Sequence, residues 1–314
     1  MAQATGAGAA LLVGIQSNIS TVATEGFQMP FNSSGVKSSR NQNTANTLTG
    51  RLDPVEPFEG NRSVAGPLVI PFDSASMYYW LQFMFGNPTT TGSDPYTHVF
   101  DTTGARPYFT LEHGFTDLGT AQYFAYLGCK VSQFSMSIGG DQELVGNLTV
   151  TGSNRTIGAA SFDATPETPS FARLKNFQAS IKEGGSAISN VTSVDFSLNW
   201  NVDSSQYVIG GGGVLGAIPD GVMTISGTIN ALFEDMVMLN KAINGTESSL
   251  EVTLTDSADS TAIIKFPELK YAEDFPIING PTGIGVSLPF SAYYNNDAAG
   301  SAAVMTLINE DSHA

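Results

Sequence analysis

The feature that most constrains this chain is a unit that occurs twice. Asn61 to Gly86 reads as a strand, Ser63 to Phe72, that runs into a helix. Asp73 or Ser74 can accept the first free backbone N–H groups, and Met77, Trp80, Leu81 and Met84 recur at helical spacing. Gly86 sits where a left-handed stop belongs. Gly221 to Gly245 repeats the plan: Gly66 matches Gly227, Phe72 matches Phe233, and Asp73-Ser74 match Glu234-Asp235. Gly245 falls slightly short of the Gly86 equivalent. A repeated strand, acidic cap, helix and glycine predicts one domain made twice. The expected division is a first domain over 1–152, a linker over 153–170 and a second domain over 171–314.

The chain has 314 residues, enough for two domains that each bury a core. Hydrophobic residues make up 41%, which argues for a globular protein, but charged residues make up only 13%, about half of the usual ~25%. Ser, Thr, Asn and Gly keep the surface polar instead. Interfaces between proteins are depleted in Lys, Glu and Asp, so this composition predicts that much of the surface is covered in an assembly. The formal charge is −16, from 29 acidic and 13 basic residues. Residues 1–160 carry 11 acidic and 7 basic, a net of −4, whereas 161–314 carry 18 and 6, a net of −12. Such a chain does not hold nucleic acid by neutralising phosphates, although it can surround it without sticking.

Period-2 alternation marks most of the strands. Lys130–Ile138 places Phe134, Met136 and Ile138 on one face and Gln133, Ser135 and Ser137 on the other. Leu144–Thr151, Val194–Trp200, Leu250–Thr255 and Val286–Ser291 alternate in the same way, and Leu11–Ile15, Tyr108–His113, Gln122–Leu127 and 302–308 also read as strands. Asn32–Gly50 is a long loop or a loosely paired hairpin, NPTTTGSDP is loop, and SNRTIGAASFDATPETPS is the linker between repeats. Between Trp200 and Val222 lies an insertion containing Gly210–Gly213, too glycine-rich for a stiff strand and expected to be a long flexible arm. The predicted class is all-β: two tandem β-sandwich or barrel domains, each with one short helix. The polar faces of the strands carry Ser, Thr, Asn and Gln more than charge, which suits edges that join other subunits.

No constellation for catalysis emerges. His98 falls in a predicted loop, His113 reads as a surface residue beside Glu112, and His313 is next to last. None shares the spacing of a helical metal site. Cys129 is the only cysteine, which excludes a disulfide framework and reads as a small core filler. Gly211, Gly213 and Gly216 match a dinucleotide fingerprint in form, but Ala217-Ile218-Pro219-Asp220-Gly221 follows where a helix N-terminus is needed. Asp256 and Asp259 lack the ligand spacing of a calcium loop. The expectation is no enzyme, no cofactor and no metal. The N-terminal apolar run lacks a basic region, so no signal peptide is expected, and no window has the length of a membrane span.

The stretch Gly50–Gly152 resembles the tail tube (major tail) proteins of tailed bacteriophages, with a duplicated tube domain. The likeness lies in Arg51, Pro54–Glu59, Ser63-Val64-Ala65-Gly66, the helix ending MFG, Phe109-Thr110-Leu111-Glu112, and Tyr126–Val131 leading into FSMSI. Val194–Leu198, the glycine-rich arm, Gly227–Phe233 and Val286–Tyr293 extend it over the second repeat. The resemblance implies a structural virion protein whose rings stack into the channel for DNA ejection. It implies trimeric rings with pseudo-sixfold symmetry, passage of DNA and tape-measure protein without specific binding, and contacts with tail terminator and tail tip proteins. The place implied is the virion tail, after assembly in the host cytoplasm. Asp195 and Glu251, on polar faces of good strands, are the candidates for facing the lumen. Tyr207, Gly210, Gly213 and Asp220 are the candidates for contacts between subunits or rings through the arm. The alternative is a non-catalytic β-sandwich binding module, an adhesin or carbohydrate-binding protein. That reading calls for a secretion signal and a sugar or calcium site.

Overall fold

The computed structural model describes residues 3–278 and 280–313. In the first half the elements are β1 (Ala9–Gln16), β2 (Phe27–Gln28), β3 (Ser33–Ser34), β4 (Lys37–Asn43), β5 (Phe58–Pro71) and α1 (Met77–Phe85). They continue with β6 (Thr89–Gly92), β7 (Tyr96–Asp101), β8 (Tyr108–Phe115), β9 (Gln122–Gly139), β10 (Val145–Gly152) and β11 (Asn154–Gly158). The second half holds β12 (Ala179–Glu183), β13 (Ser186–Ile188), β14 (Val191–Asn199), β15 (Thr224–Leu232) and α2 (Val237–Asn244). It ends with β16 (Ser248–Ser257), β17 (Ser260–Tyr271), β18 (Gly285–Ala292) and β19 (Val304–Asn309). The fold is all-β, as the alternation predicts, with two short α-helices.

Each repeated unit forms as the sequence indicates. The Asp73 carboxylate accepts from the N–H groups of Ala75 (2.8 Å) and Ser76 (2.7 Å) ahead of α1. Burial pushes this carboxyl above its usual range, offset in part by those bonds. In the second unit Asp235 accepts from the N–H of Val237 at 2.8 Å. Gly86 and Gly245 close the helices with φ of +91° and +59°, values that L side chains rarely adopt. The helices differ in their settings. α1 is buried on all sides except at Gln82, as its apolar sequence requires, with Phe83 stacked on Phe109 and Phe85 edge-on to Trp200. α2 buries only Met238, Leu239 and Ala242.

Five antiparallel pairings occur in the same order in both halves. The first half pairs β1 with β8, β8 with β9, β9 with β10, β10 with β5, and β5 with β4. The second pairs β12 with β16, β16 with β17, β17 with β18, β18 with β15, and β15 with β14. The halves then join edge to edge, because β14 lies along the C-terminal part of β9, from Ser193↔Gly139 to Asn199↔Gln133. A spanning sheet results, in the order β4–β5–β10–β9–β14–β15–β18, extended at its end by the last residues of β17. A second junction forms where β7 pairs with β19.

The spanning sheet packs its apolar face on the strands behind it. Phe134, Phe196, Phe266 and Phe290 make a chain of ring contacts, with successive centroids 6.0, 5.4 and 5.7 Å apart, from β9 through β14 and β17 to β18. One buried cluster takes side chains from both halves.

Several local expectations differ from the structure. The predicted strands 122–127 and 130–138 are one strand, β9, which turns at Gly128 (φ +62°) from the β8 sheet into the spanning sheet. The NPTTTGSDP loop contains β6 and opens into β7, so His98 is a buried strand residue. The stretch 153–170 contains β11, paired with β9. Asn32–Gly50 takes the hairpin form, with β3 and β4 against β5. β12, β13 and β17 were not legible as strands. β17 is buried on both faces over much of its length, which removes the alternation.

Candidate functional site

The face of the spanning sheet that points away from the core is polar from β10 to β18, while β5 presents Ala65, Pro67 and Val69 there. One rung runs Ser33–Val69–Asn147–Ser135–Ser197–Ser226–Ser291–Lys270 through eight strands without a break in pairing. The alternation in each strand dictates this, since Phe134, Phe196 and Phe290 turn inward and their neighbours must turn outward. Ser135, Ser197, Ser226 and Ser291 line a shallow open trough of about 560 Å³ in the middle of the face. Side chains tie adjacent strands together, Gln133 donating to Ser197 (3.0 Å) and Asn230 to Ser193 (2.9 Å). From β10 to β18 the outward positions carry two charges, Asp195 and Lys130, and the arm covers Lys130 through Asp220, which leaves Asp195 as the one uncovered charge.

The two candidate carboxylates do not share a surface. Asp195 lies on this polar face, between Ser137 and Thr228. Glu251 lies on β16, held by Lys182 at 2.7 Å. Its neighbours Leu250 and Val252 are buried, and Leu250 sits opposite Phe266, which meets Phe196 in the core. Glu251 and Asp195 therefore point away from the core in opposite directions.

The insertion between Trp200 and Val222 folds back on the first half. The Tyr207 hydroxyl donates to the carbonyl of Arg62 (3.1 Å), and the Gly213 carbonyl accepts the Arg62 N–H (2.7 Å). Asp220 accepts from Arg106 (2.7 Å) and Lys130 (2.8 Å), both deeply buried. Gly210 lies at the exposed tip beside the fully exposed Ile209. Of the four arm candidates, three hold the arm down and one sits at its free end.

The groups with chemical potential are built into the core. Cys129 is fully buried and its thiol is pushed well up by burial. His98 and His313 come together at the end of the chain, rings 5.3 Å apart, beside Tyr78. No spacing along the chain signals that pair, which the β7–β19 pairing assembles. Among the described residues no group of three or more His, Cys, Asp or Glu could hold a metal ion. His113, expected at the surface, is largely buried: its Nε2 lies 2.8 Å from the Ser34 hydroxyl and its ring meets Tyr126 edge-on. Burial lowers its pKa from 6.5 to about 4. The unfolded chain therefore takes up this proton first, so stability is lost as pH falls from about 6.5 to about 4, by up to about 3 kcal/mol. Urea unfolding of wild type and His113→Gln across that range is expected to show a shallower slope for the variant.

A polar sheet face shared by both halves suits assembly, and the family comparison agrees. The model of the phage tail tube protein family matches residues 6–292, most of the chain. The chain belongs to the phage tail tube protein family. No individual curated protein matches it. As a tail tube protein it is a structural component of a phage virion, located in the tail and self-assembling into a tube. No helix is long and apolar enough to cross a membrane among the described residues. The first-half motifs, the arm and the second-half strands that carried the resemblance fall within the matched span, Tyr293 alone lying one residue past its end.

Proposed function

We propose that this tail tube protein polymerises as stacked rings, with the spanning sheet as the channel wall through which phage DNA is ejected into the host. The observation that carries this reading is the outward face of the spanning sheet, polar from β10 to β18, with Asp195 as its one charge not covered by the arm. Binding to DNA runs on Lys and Arg paired with phosphates. A wall of Ser, Thr and Asn with Asp195 offers no such pairs, so DNA and the tape-measure protein slide. Asp195 belongs to the wall in this reading, whereas Glu251 lies on the outside.

The five pairings common to both halves support a doubled tube domain divided as 1–152 and 171–314. Three chains then fill six places in a ring. With strands about 4.8 Å apart and tilted about 40°, three copies of eight strands close a barrel roughly 48 Å across at the backbone, wide enough for duplex DNA. Tail terminator and tail tip proteins occupy the two ends of the tube, and assembly takes place in the host cytoplasm. The role is architectural, with no reaction catalysed.

Negative-stain micrographs of the purified chain are expected to show tubes with a regular ring spacing. A chain that stays monomeric under all conditions contradicts the reading. Ser135→Lys with Ser197→Lys tests the wall itself. Virions carrying it are expected to assemble normally and to lose infectivity at least tenfold through retained DNA, and unchanged infectivity counts against the wall assignment.

A further inference from the structure

The junction inside the chain has an unused counterpart at each of its ends. Internally, β14 lies along Gln133–Gly139 of β9, over seven consecutive residues. The equivalent of that β9 segment in the second half follows from the pairings. Lys130 sits opposite Thr151 and Val131 opposite Val150, while Lys270 sits opposite Ser291 and Tyr271 opposite Phe290. The sequence spacing between the paired residues is the same in both halves, so Ala272–Ile278 occupies the place of Ser132–Ile138. Yet among the described residues it belongs to no strand, its tie to β18 being the Ala272 N–H to the Pro289 carbonyl (2.7 Å), and Phe275, Ile277 and Ile278 are 57%, 75% and 77% exposed. The equivalent of β14 in the first half is the β3–β4 edge. Val36 is buried beside Gly66 as Phe196 is opposite Gly227. Among the described residues β3 and β4 pair only with β5, leaving their outer edge free.

We propose that Ala272–Ile278 of one copy adds as an antiparallel strand to the β3–β4 edge of the next, repeating between chains the junction that β9 and β14 make within one. The proposal rests on the tube reading and assigns the seam between neighbours in a ring. Exposed apolar side chains on a segment that continues a strand beyond its ladder and an open strand edge are the two halves of a β-addition site. Charge favours the match, since the segment carries Glu273 and Asp274 and the edge carries Lys37 and Arg40. Carrying over the internal register sets Ser39 opposite Glu273 and Lys37 opposite Phe275. Lys37 is then a diagonal neighbour of Glu273, and Arg40 of Asp274, both within reach of long side chains. Pro276 supplies no N–H, so the seam lacks at most one backbone hydrogen bond that an ordinary residue would offer. The contact is head-to-tail, using different surfaces of the two copies, the kind that closes into rings.

Cysteine pairs test the register on the full chain. In assembled tubes, Ser39→Cys with Glu273→Cys is expected to give a ladder of disulfide-linked chains after diamide oxidation, whereas each single variant stays monomeric on a non-reducing gel. Intact tubes with no ladder, for this pair and for Lys37→Cys with Phe275→Cys, overturn the seam and leave the tube reading standing. Failure of the unmodified chain to form tubes overturns both. A second variant, Phe275→Lys with Ile277→Lys, changes only exposed side chains. Its urea midpoint is expected to match wild type while polymer yield falls at least tenfold, and wild-type yield overturns the seam.

Discussion

Asp220→Ala is expected to lower stability by about 3–5 kcal/mol in urea unfolding at neutral pH, the cost of leaving buried charge without its partner. A single carboxylate holds two cations whose side chains are 5% and 8% exposed, Arg106 and Lys130. Arg106 lies over the Trp200 ring at 4.5 Å and donates to the Val131 carbonyl, and Lys130 lies 5.0 Å from the Tyr108 ring. The aromatic faces soften the burial but do not replace the counter-charge. Burial already lowers the Arg106 pKa to about 10 despite Asp220 acting in the opposite direction. Asp220→Asn, which keeps a hydrogen-bond acceptor and loses the charge, is expected to fall between wild type and the alanine variant. Replacing all three residues with apolar ones of similar size should cost far less than Asp220→Ala alone. A loss below about 1 kcal/mol for Asp220→Ala would show that the two cations find other partners or water.

The second large effect is expected at the paired glycines of the repeat. A Cβ at Gly227 would lie 2.3 Å from Cζ of Phe290 and 2.4 Å from the Asp195 carbonyl oxygen. At Gly66 it would lie 2.2 Å from the Gly35 carbonyl oxygen and 2.5 Å from its carbon. Backbone cannot rotate away as a side chain can, so the strands themselves must part. Gly66→Ala and Gly227→Ala should each cost about 3 kcal/mol, the upper part of the range for overpacking. Gly245→Ala is the contrast: nothing lies within 4 Å of its Cβ position, and only the left-handed φ of +59° resists the change. It should cost about 1–2 kcal/mol. Thermal unfolding of the three variants orders them, and equal losses would remove the steric explanation.

Much of this fold is visible in the residues themselves. Phe134, Met136 and Ile138 against Ser135 and Ser137, or Val194, Phe196 and Leu198 against Asp195 and Ser197, declare which side chains share a face. That follows from the two-residue period of a strand, a local property. The repeat of Gly66 and Gly227, with acidic residues ahead of each helix, is likewise local. The misses are non-local. Tyr96–Asp101 shows little pattern of its own and becomes a strand by lying along Val304–Asn309 at the far end of the chain. The same pairing places His98 against His313. Asp220 sits in a loop where the sequence offers no hint of Arg106 or Lys130.

By itself the sequence determined the class of the fold, the two helices with their caps and stops, and the polarity of each strand face. Side-chain periodicity and capping chemistry act within a few residues and need no distant partner. Tertiary structure alone decided which strands lie side by side. Backbone hydrogen bonds between strands are indifferent to residue identity, so only the packed core selects the β9–β14 junction. It also sent Asp195 and Glu251, alike in pattern, to opposite sides of the protein.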